Sequence, residues 1–505
     1  ASAINRFLRD CQKRKYQMTE LAFQSAVEQV GAIKAGKISS TELLEYYLER
    51  IERLNPDLNA IVYVDVEQAK KRARAADEAL ARKEAWGPLH GLPVTIKDTL
   101  EVSGMPCTAG APQLKEHIAS KHADVVQSLV DGGAIVLGKT NVPLYAGDFQ
   151  SFNDVYGQTN NPWDASLTPG GSSGGAAAAL SAGLCSLEIG SDLGGSIRLP
   201  PHFCGICGHK PSYGIVPQKG HIPPPPGIFT GEYSIGIDMM VVGPLARSIG
   251  DVELAMDIIV GPESPERRAW SINLPGPRKP SLEEYKIGLW PDDPACAVDS
   301  SVGDAMQALV DELSRNGASI TETHPEIDFA SSYDVFLSLN AAVMGAGVPE
   351  KMFKKWVDTA DTLSIADGAY SSNFIRGATQ RHRRWIEQNG MRELLRQKWA
   401  DFFQTYDALI CPPAVLPAFA HDHGYVFDRV LSINGVDRPY MDIMGWSGLA
   451  SAAKLPATVL PIGRTPQGLP VGIQVIGPYL EDRTPIHIAR LISDIIGGFM
   501  PPPGF

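Results

Sequence analysis

The chain has 505 residues, 44% of them hydrophobic and 20% charged, with a formal net charge of −12. That balance describes a soluble globular protein and argues against polyanionic nucleic acid as its main ligand. No run of about 18 apolar residues exists to span a membrane, and seven cysteines without dense spacing argue against a disulfide framework.

The cysteine usage fits a reducing, cytoplasmic compartment. Length alone suggests two to four domains of roughly 150 residues, but the pattern along the chain reads as one domain over 1–505. Residues 1–38 read as an N-terminal arm and helix. The first 17 are basic with scattered apolar positions, without the charged-then-apolar layout of a secretory signal. Ser39-Ser40-Thr41-Glu42 is a capping box. Leu43, Leu44, Tyr47, Leu48, Ile51 and Leu54 then form the apolar stripe of a helix. A second helical pattern covers 66–84, and LPVTIKDTL (92–100) is a short apolar strand with a lone lysine at its end.

Residues 133–140, GAIVLGKT, match the phosphate-cradling pattern G-x-x-x-x-G-K-[ST]. That motif needs the order strand, loop, helix. Here Val125, Val126, Leu129 and Val130 fall at helical spacing, Gly132-Gly133 stop the helix, and Ala134 to Leu137 favour a buried strand. Pro143 disfavours helix at Val142. The stretch therefore reads as helix, glycine turn and strand, not as a nucleotide site.

Helices and strands alternate onward, as in an α/β protein with a central sheet. YKIGLW (285–290) reads as a strand, 299–315 as a helix, and about 330–403 as a helical insertion walling a cleft. YDALICPP (406–413) and LPATVLPIG (455–463) read as returning strands, and GLPVGIQVIGP (468–478) as a final strand pair. PPPPG (223–227) reads as a rigid loop rim. Cys204-x-x-Cys207 has no second pair nearby and reads as buried thiols. His421-Asp422-His423 reads as an exposed loop, so no metal site is expected.

Chemistry concentrates in 168–214, where two glycine–serine clusters flank an alanine-rich helix former. Glycine clusters let several backbone N–H groups converge on one point, as an acyl-transfer enzyme needs for its oxyanion. PGGSSGG (169–175), GSDLGGSIRLP (190–200) and FCGICGHKPSYG (203–214) resemble the amidase signature family of serine hydrolases. GLPVTIKD (91–98), GKTN (138–141) and YGQTNNPWD (156–164) support the match. The resemblance runs from the capped helix at 39 to the strands near 478, with 60–278 as its signature core.

The resemblance implies a single α/β/α sandwich, with a mixed sheet covered by helices. It also implies a cofactor-independent Ser–cis-Ser–Lys site: Ser196 as nucleophile, Ser172 as the cis serine and Lys97 as base. Ser173 would hold Lys97 by a hydrogen bond. Leu193, Gly194, Gly195 and Ser196 would supply oxyanion N–H groups, and Asp192 and Arg198 would brace the loop. Such a lysine works only when neutral, and burial lowers a lysine pKa from its ordinary value of about 10.4. Candidate substrate-pocket residues are Met105, Phe149, Gln150, Ile222, Phe229, Met444 and Trp446. Most are apolar, which favours aryl, fatty or other hydrophobic amides, with carbamates and esters as subclasses. The expected partner is a small-molecule amide or carbamate, and the expected assembly a monomer or homodimer.

Four other readings compete. G-x-S-x-G occurs at 170–174 and 171–175, but the turn-rich NNPWDASLTPGG before it is not the strand of a nucleophile elbow. S-x-x-K at Ser451–Lys454 reads as a structural turn before Pro456. The amidase component of the tRNA-dependent amidotransferases shares the fold; here the segment after 214 and His209, where leucine is usual, depart from it. A binding module with a dead site fits poorly, since Ser196, Ser172 and Lys97 are all present.

Overall fold

In a computed structural model of the chain, residues 21–224, 236–363 and 370–505 are described. The arm at the N-terminus, Phe229 and most of PPPPG lie outside them. The described part is a mixed α/β protein built on one eleven-stranded sheet. Its order is Ile61–Val64, Ile135–Thr140, Pro93–Lys97, Leu187–Asp192, Val241–Ala246, Cys207–Lys210, Ala457–Arg464, Pro470–Ile476, Ala408–Cys411, Lys286–Leu289 and Ser319–Glu322. Pro93–Lys97 runs parallel to both its neighbours, and Lys286–Leu289 to both of its own. The pairings at the middle of the sheet are antiparallel. Strands buried on both faces suit the apolar, β-branched runs that form them.

The capping box closes as read: the Ser39 hydroxyl accepts from the Glu42 N–H, and the Glu42 carboxylate accepts from the Ser39 N–H, opening the helix Ser40–Leu58. GAIVLGKT also folds as read. The helix Asp124–Asp131 ends at a glycine turn, and the strand Ile135–Thr140 follows. Gly133 has φ +98°, and a Cβ there would lie 2.8 Å from the His90 Cα. Lys139 is buried, pairs with Asp98 at 3.4 Å and donates to the Leu100 carbonyl at 2.7 Å, which leaves it no phosphate to hold.

One expectation is corrected. GLPVGIQVIGP is not a strand pair but the single strand Pro470–Ile476, hydrogen-bonded along its length to Ala457–Arg464. Its central Gly472 sits inside the strand opposite Pro461 rather than in a turn.

Among the described residues, the 330–403 region contains the helices Phe329–Gly345, Glu350–Ala360, Tyr370–Ala378 and His382–Phe402. The first packs against Tyr370–Ala378, His382–Phe402 and Gly445–Ala452. Its Val335, Phe336 and Leu339 enter an apolar cluster with Phe149, Met444 and Trp446, distinct from the larger cluster around the sheet. Cys204 and Cys207 are buried free thiols, and Asp422 and His423 are exposed. No group of residues able to hold a metal occurs among the described residues, and no described helix is long and apolar enough to cross a membrane.

Candidate active site

Three segments converge beside the C-terminal end of Pro93–Lys97. This strand is buried throughout and delivers Lys97 into the interior with no exposed surface. Ser172 and Ser173 lead into Gly174–Ser181, a helix of small residues that is buried along its whole length. The strand Leu187–Asp192 carries Ser191 and Asp192 and opens into the loop holding Ser196.

Lys97 Nζ lies 2.6 Å from Ser172 Oγ, 3.1 Å from Ser191 Oγ and 3.3 Å from the Ser191 carbonyl. The Gly171–Ser172 peptide bond is cis. Burial draws the Lys97 amine down to about 7 from an ordinary 10.5, against the upward pull of the Asp192 and Glu188 charges. Glu188, on the same strand as Ser191, accepts hydrogen bonds from Thr95 and Thr140, and burial pushes it up to about 8. An amine poised near neutrality is half deprotonated at pH 7, the condition a general base needs.

The expected role of Ser173 changes. Its hydroxyl donates to the Ser191 carbonyl at 3.4 Å, and the second hydroxyl on Lys97 is that of Ser191. The Ser191 side chain also meets His221, whose Nε2 lies 2.9 Å from Ser191 Oγ. Neither Ser191 nor His221 was among the site residues read from the sequence. A serine preceding GGS and a lone histidine before a proline run carry no chemical signature of their own.

The loop after Asp192 is clamped by buried polar contacts. Asp192 accepts from the N–H groups of Gly195 and Ile197, each at 2.9 Å. It also forms a buried two-point pair with Arg198, at 2.8 and 3.1 Å. Burial works to raise the Asp192 pKa, but Arg198, the Ile197 N–H and the Lys210 charge outweigh it and hold the carboxylate below its usual range. Arg198 reaches on to the Ser447 carbonyl at 2.6 Å, Ser451 Oγ at 2.9 Å and Gln474 Oε1 at 3.3 Å. Ser447 Oγ in turn donates to the Gly194 carbonyl at 2.7 Å.

Gly195, at φ +124°, is therefore not free to donate into an oxyanion site, because its N–H belongs to Asp192. The N–H groups of Leu193, Gly194 and Ser196, and the Ser196 hydroxyl, have no hydrogen-bond partner among the described residues.

The pocket candidates divide. A Cβ built at Gly194 would lie 3.6 Å from Met444 Sδ and 3.7 Å from the Cζ atoms of Phe149 and Phe336. Phe149 and Met444 thus face the loop, joined by Phe336 from the helical insertion, which the sequence did not single out. Gln150 has no exposed surface, and its amide is spent on both backbone groups of Asp422. Trp446 is likewise buried, donates to the Cys296 carbonyl at 2.9 Å and packs edge-on against Trp290. The polar groups of both are committed to backbone partners. Met105 lies in the sheet core and Ile222 in a small cluster with Cys107 and Ala109, apart from Phe149 and Met444.

The rival motifs find other uses. Ser172 and Ser173 follow a loop, not a strand, and the residue at hydrogen-bond distance from the Ser172 hydroxyl is a lysine. Ser451 accepts from Arg198, while Lys454 pairs with Asp238 and lies over the Tyr213 ring. His209 braces Thr458 and Asp482 at 2.9 and 3.1 Å. It links a central strand to the start of the last helix, Arg483–Ile496.

The family profile Amidase matches residues 42–485. An indoleacetamide hydrolase of Bradyrhizobium diazoefficiens is 32% identical over 471 residues, covering 91% of this chain and 84% of that protein. The A component of a glutamyl-tRNA(Gln) amidotransferase from Synechococcus sp. is 30% identical, covering 91% and 93%. Among solved structures, one described as an amidase superposes with a TM-score of 0.74 at 27% identity, over 94% of this chain and all of the other.

Proposed function

The chain belongs to the amidase family and is an enzyme of carbon–nitrogen bond hydrolysis, and from that premise we propose that it cleaves hydrophobic or aryl amides through Ser196, Ser172 and Lys97. The observation that carries this reading is the buried Lys97 amine, held near neutrality and 2.6 Å from the Ser172 hydroxyl.

In the proposed reaction Ser196 Oγ attacks the substrate carbonyl carbon. Its proton passes to Ser172 as the Ser172 proton passes to Lys97. The N–H groups of Leu193, Gly194 and Ser196 receive the oxyanion, while Asp192 and Arg198 fix the loop that presents them. As the C–N bond breaks, the proton returns from Lys97 through Ser172 to the departing amine. Water then attacks the acyl-Ser196 ester, gives its proton to the same relay and releases the acid. Phe149, Phe336 and Met444, gathered at Gly194, favour an apolar acyl group. Aryl anilides and esters follow the same steps. A carbamate would leave carbamic acid or a carbonate monoester, so urethanase action belongs to the same proposal.

Ser196→Ala is expected to abolish acyl-enzyme formation, read by mass spectrometry and by turnover of a p-nitroanilide, with the circular dichroism spectrum unchanged. Undiminished turnover would overturn the assignment. The similarity to the amidotransferase component favours a second reading, in which the chain releases ammonia to a partner during tRNA-dependent amidation. Cleavage of a p-nitroanilide by the purified chain alone supports the hydrolase. Activity confined to small primary amides and dependent on added partner supports the second.

A further inference from the structure

His221 has no part in the relay just described, yet it is buried and its ring bridges two groups next to it. Nδ1 lies 3.1 Å from the Pro223 carbonyl and Nε2 lies 2.9 Å from Ser191 Oγ. A carbonyl oxygen can only accept, so Nδ1 carries the proton. Burial, aided by the nearby Lys97 charge and opposed by the Pro223 hydrogen bond, draws the ring down to about 4, so the imidazole is neutral at working pH. Nε2 of that tautomer is an acceptor, and Ser191 Oγ–H must donate to it.

The direction of this bond propagates. A Ser191 hydroxyl that spends its proton on His221 has only lone pairs for Lys97. Neutral Lys97 has two N–H bonds and one lone pair. Its N–H groups are taken by Ser191 Oγ at 3.1 Å and the Ser191 carbonyl at 3.3 Å, and the third direction faces Ser172 Oγ at 2.6 Å. We infer that His221 is a positioning residue for the relay: by accepting the Ser191 hydroxyl it forces Ser191 to accept from Lys97, which leaves the lysine lone pair for the Ser172 proton. Without His221 the Ser191 hydroxyl is free to turn and donate to Lys97, and Ser172 then loses its acceptor. The inference rests on the lysine relay of the proposed function and adds a residue to it.

Asparagine and glutamine at 221 separate the two ends of the ring. The Asn amide matches the position of Nδ1 and keeps Pro223 but falls short of Ser191. The Gln amide reaches the position of Nε2 and offers Ser191 an acceptor. On a p-nitroanilide, with both variants folded by circular dichroism, His221→Asn is expected to lower kcat about tenfold, the usual scale of one misdirected buried hydrogen bond, with KM little changed. His221→Gln is expected to stay near wild type.

The pH profile supplies a readout that loosened packing would move the other way. The acidic side chains acting on Lys97, Asp192 and Glu188, are both left intact in these variants. A Ser191 hydroxyl donating to the neutral amine favours that form, so the limb near pH 7 stays in place or moves down in the Asn variant. Water let in by a disturbed fold would move it up, toward 10.5. Ser191→Ala, which removes the hydroxyl itself, is expected to make His221→Asn silent. The inference is overturned by an Asn variant as active as wild type, a Gln variant as slow as Asn, an upward limb, or additive losses in the double variant. Activity surviving Ser196→Ala would instead remove the reading beneath it.

Discussion

Consider kcat/KM for an anilide followed from pH 5 to pH 10 at constant ionic strength. The proposed base, Lys97, must be neutral to act, so on that proposal the rate should rise with pH through the Lys97 pKa and level off above it. With that pKa at about 7, the neutral fraction is about one half at pH 7, about one tenth at pH 6 and about one hundredth at pH 5. The acid limb should therefore have unit slope and bend near pH 7. An unburied lysine at 10.5 would be neutral to only about 0.03% at pH 7, roughly 1,600-fold less, or about 4.4 kcal/mol of lost base. Initial rates of p-nitroaniline release, with a pH-jump control for irreversible inactivation, measure the curve. A limb bending above pH 9, or a flat profile between pH 5 and 8, would refute the argument that burial prepares this amine.

Asp192→Asn should cost about 3–5 kcal/mol in urea unfolding, because it leaves the Arg198 guanidinium buried without its carboxylate. In whatever fraction folds, the pH limb should shift down, since the Asp192 charge raises the Lys97 pKa. A stability change below about 1 kcal/mol would mean the pair is not buried as described. Glu188→Gln tests linkage. Its folded-state pKa of about 8 lies above the ordinary 4.5, so between those values the folded chain holds more protons and stability falls as pH rises. The glutamine variant lacks that slope. Its Tm relative to wild type should climb from pH 5 to pH 8, and a difference constant across that range would count against the buried carboxyl.

Local signals were readable wherever the chemistry was local. The Ser39–Glu42 box, the Gly132-Gly133 stop and the lysine at the end of an apolar strand each depend on neighbours within a few residues, and each lies where the pattern put it. The 468–478 segment misled because its glycines look like turn formers, while Gly472 is held extended by a strand more than ten residues earlier. Ser191 and His221 are 30 residues apart and meet only in the folded chain. Phe336 lies still farther from Gly194 in sequence, and its approach depends on how a whole helix docks. The partners of Gln150 and Trp446 were not legible either, because a sequence does not say which way a buried amide or indole points.

The clamp behind the Ser196 loop has a consequence for altering this enzyme. The charged and amide contacts of that clamp run from Asp192 through Arg198 to Ser447, Ser451 and Gln474. At Gly194 a Cβ would instead come nearest to the apolar side chains of Met444, Phe149 and Phe336. Under the proposed function, selectivity should be recut by reshaping these three apolar side chains while the ionic scaffold stays whole. A library confined to those three positions should yield changed preferences without the stability loss expected for Asp192→Asn.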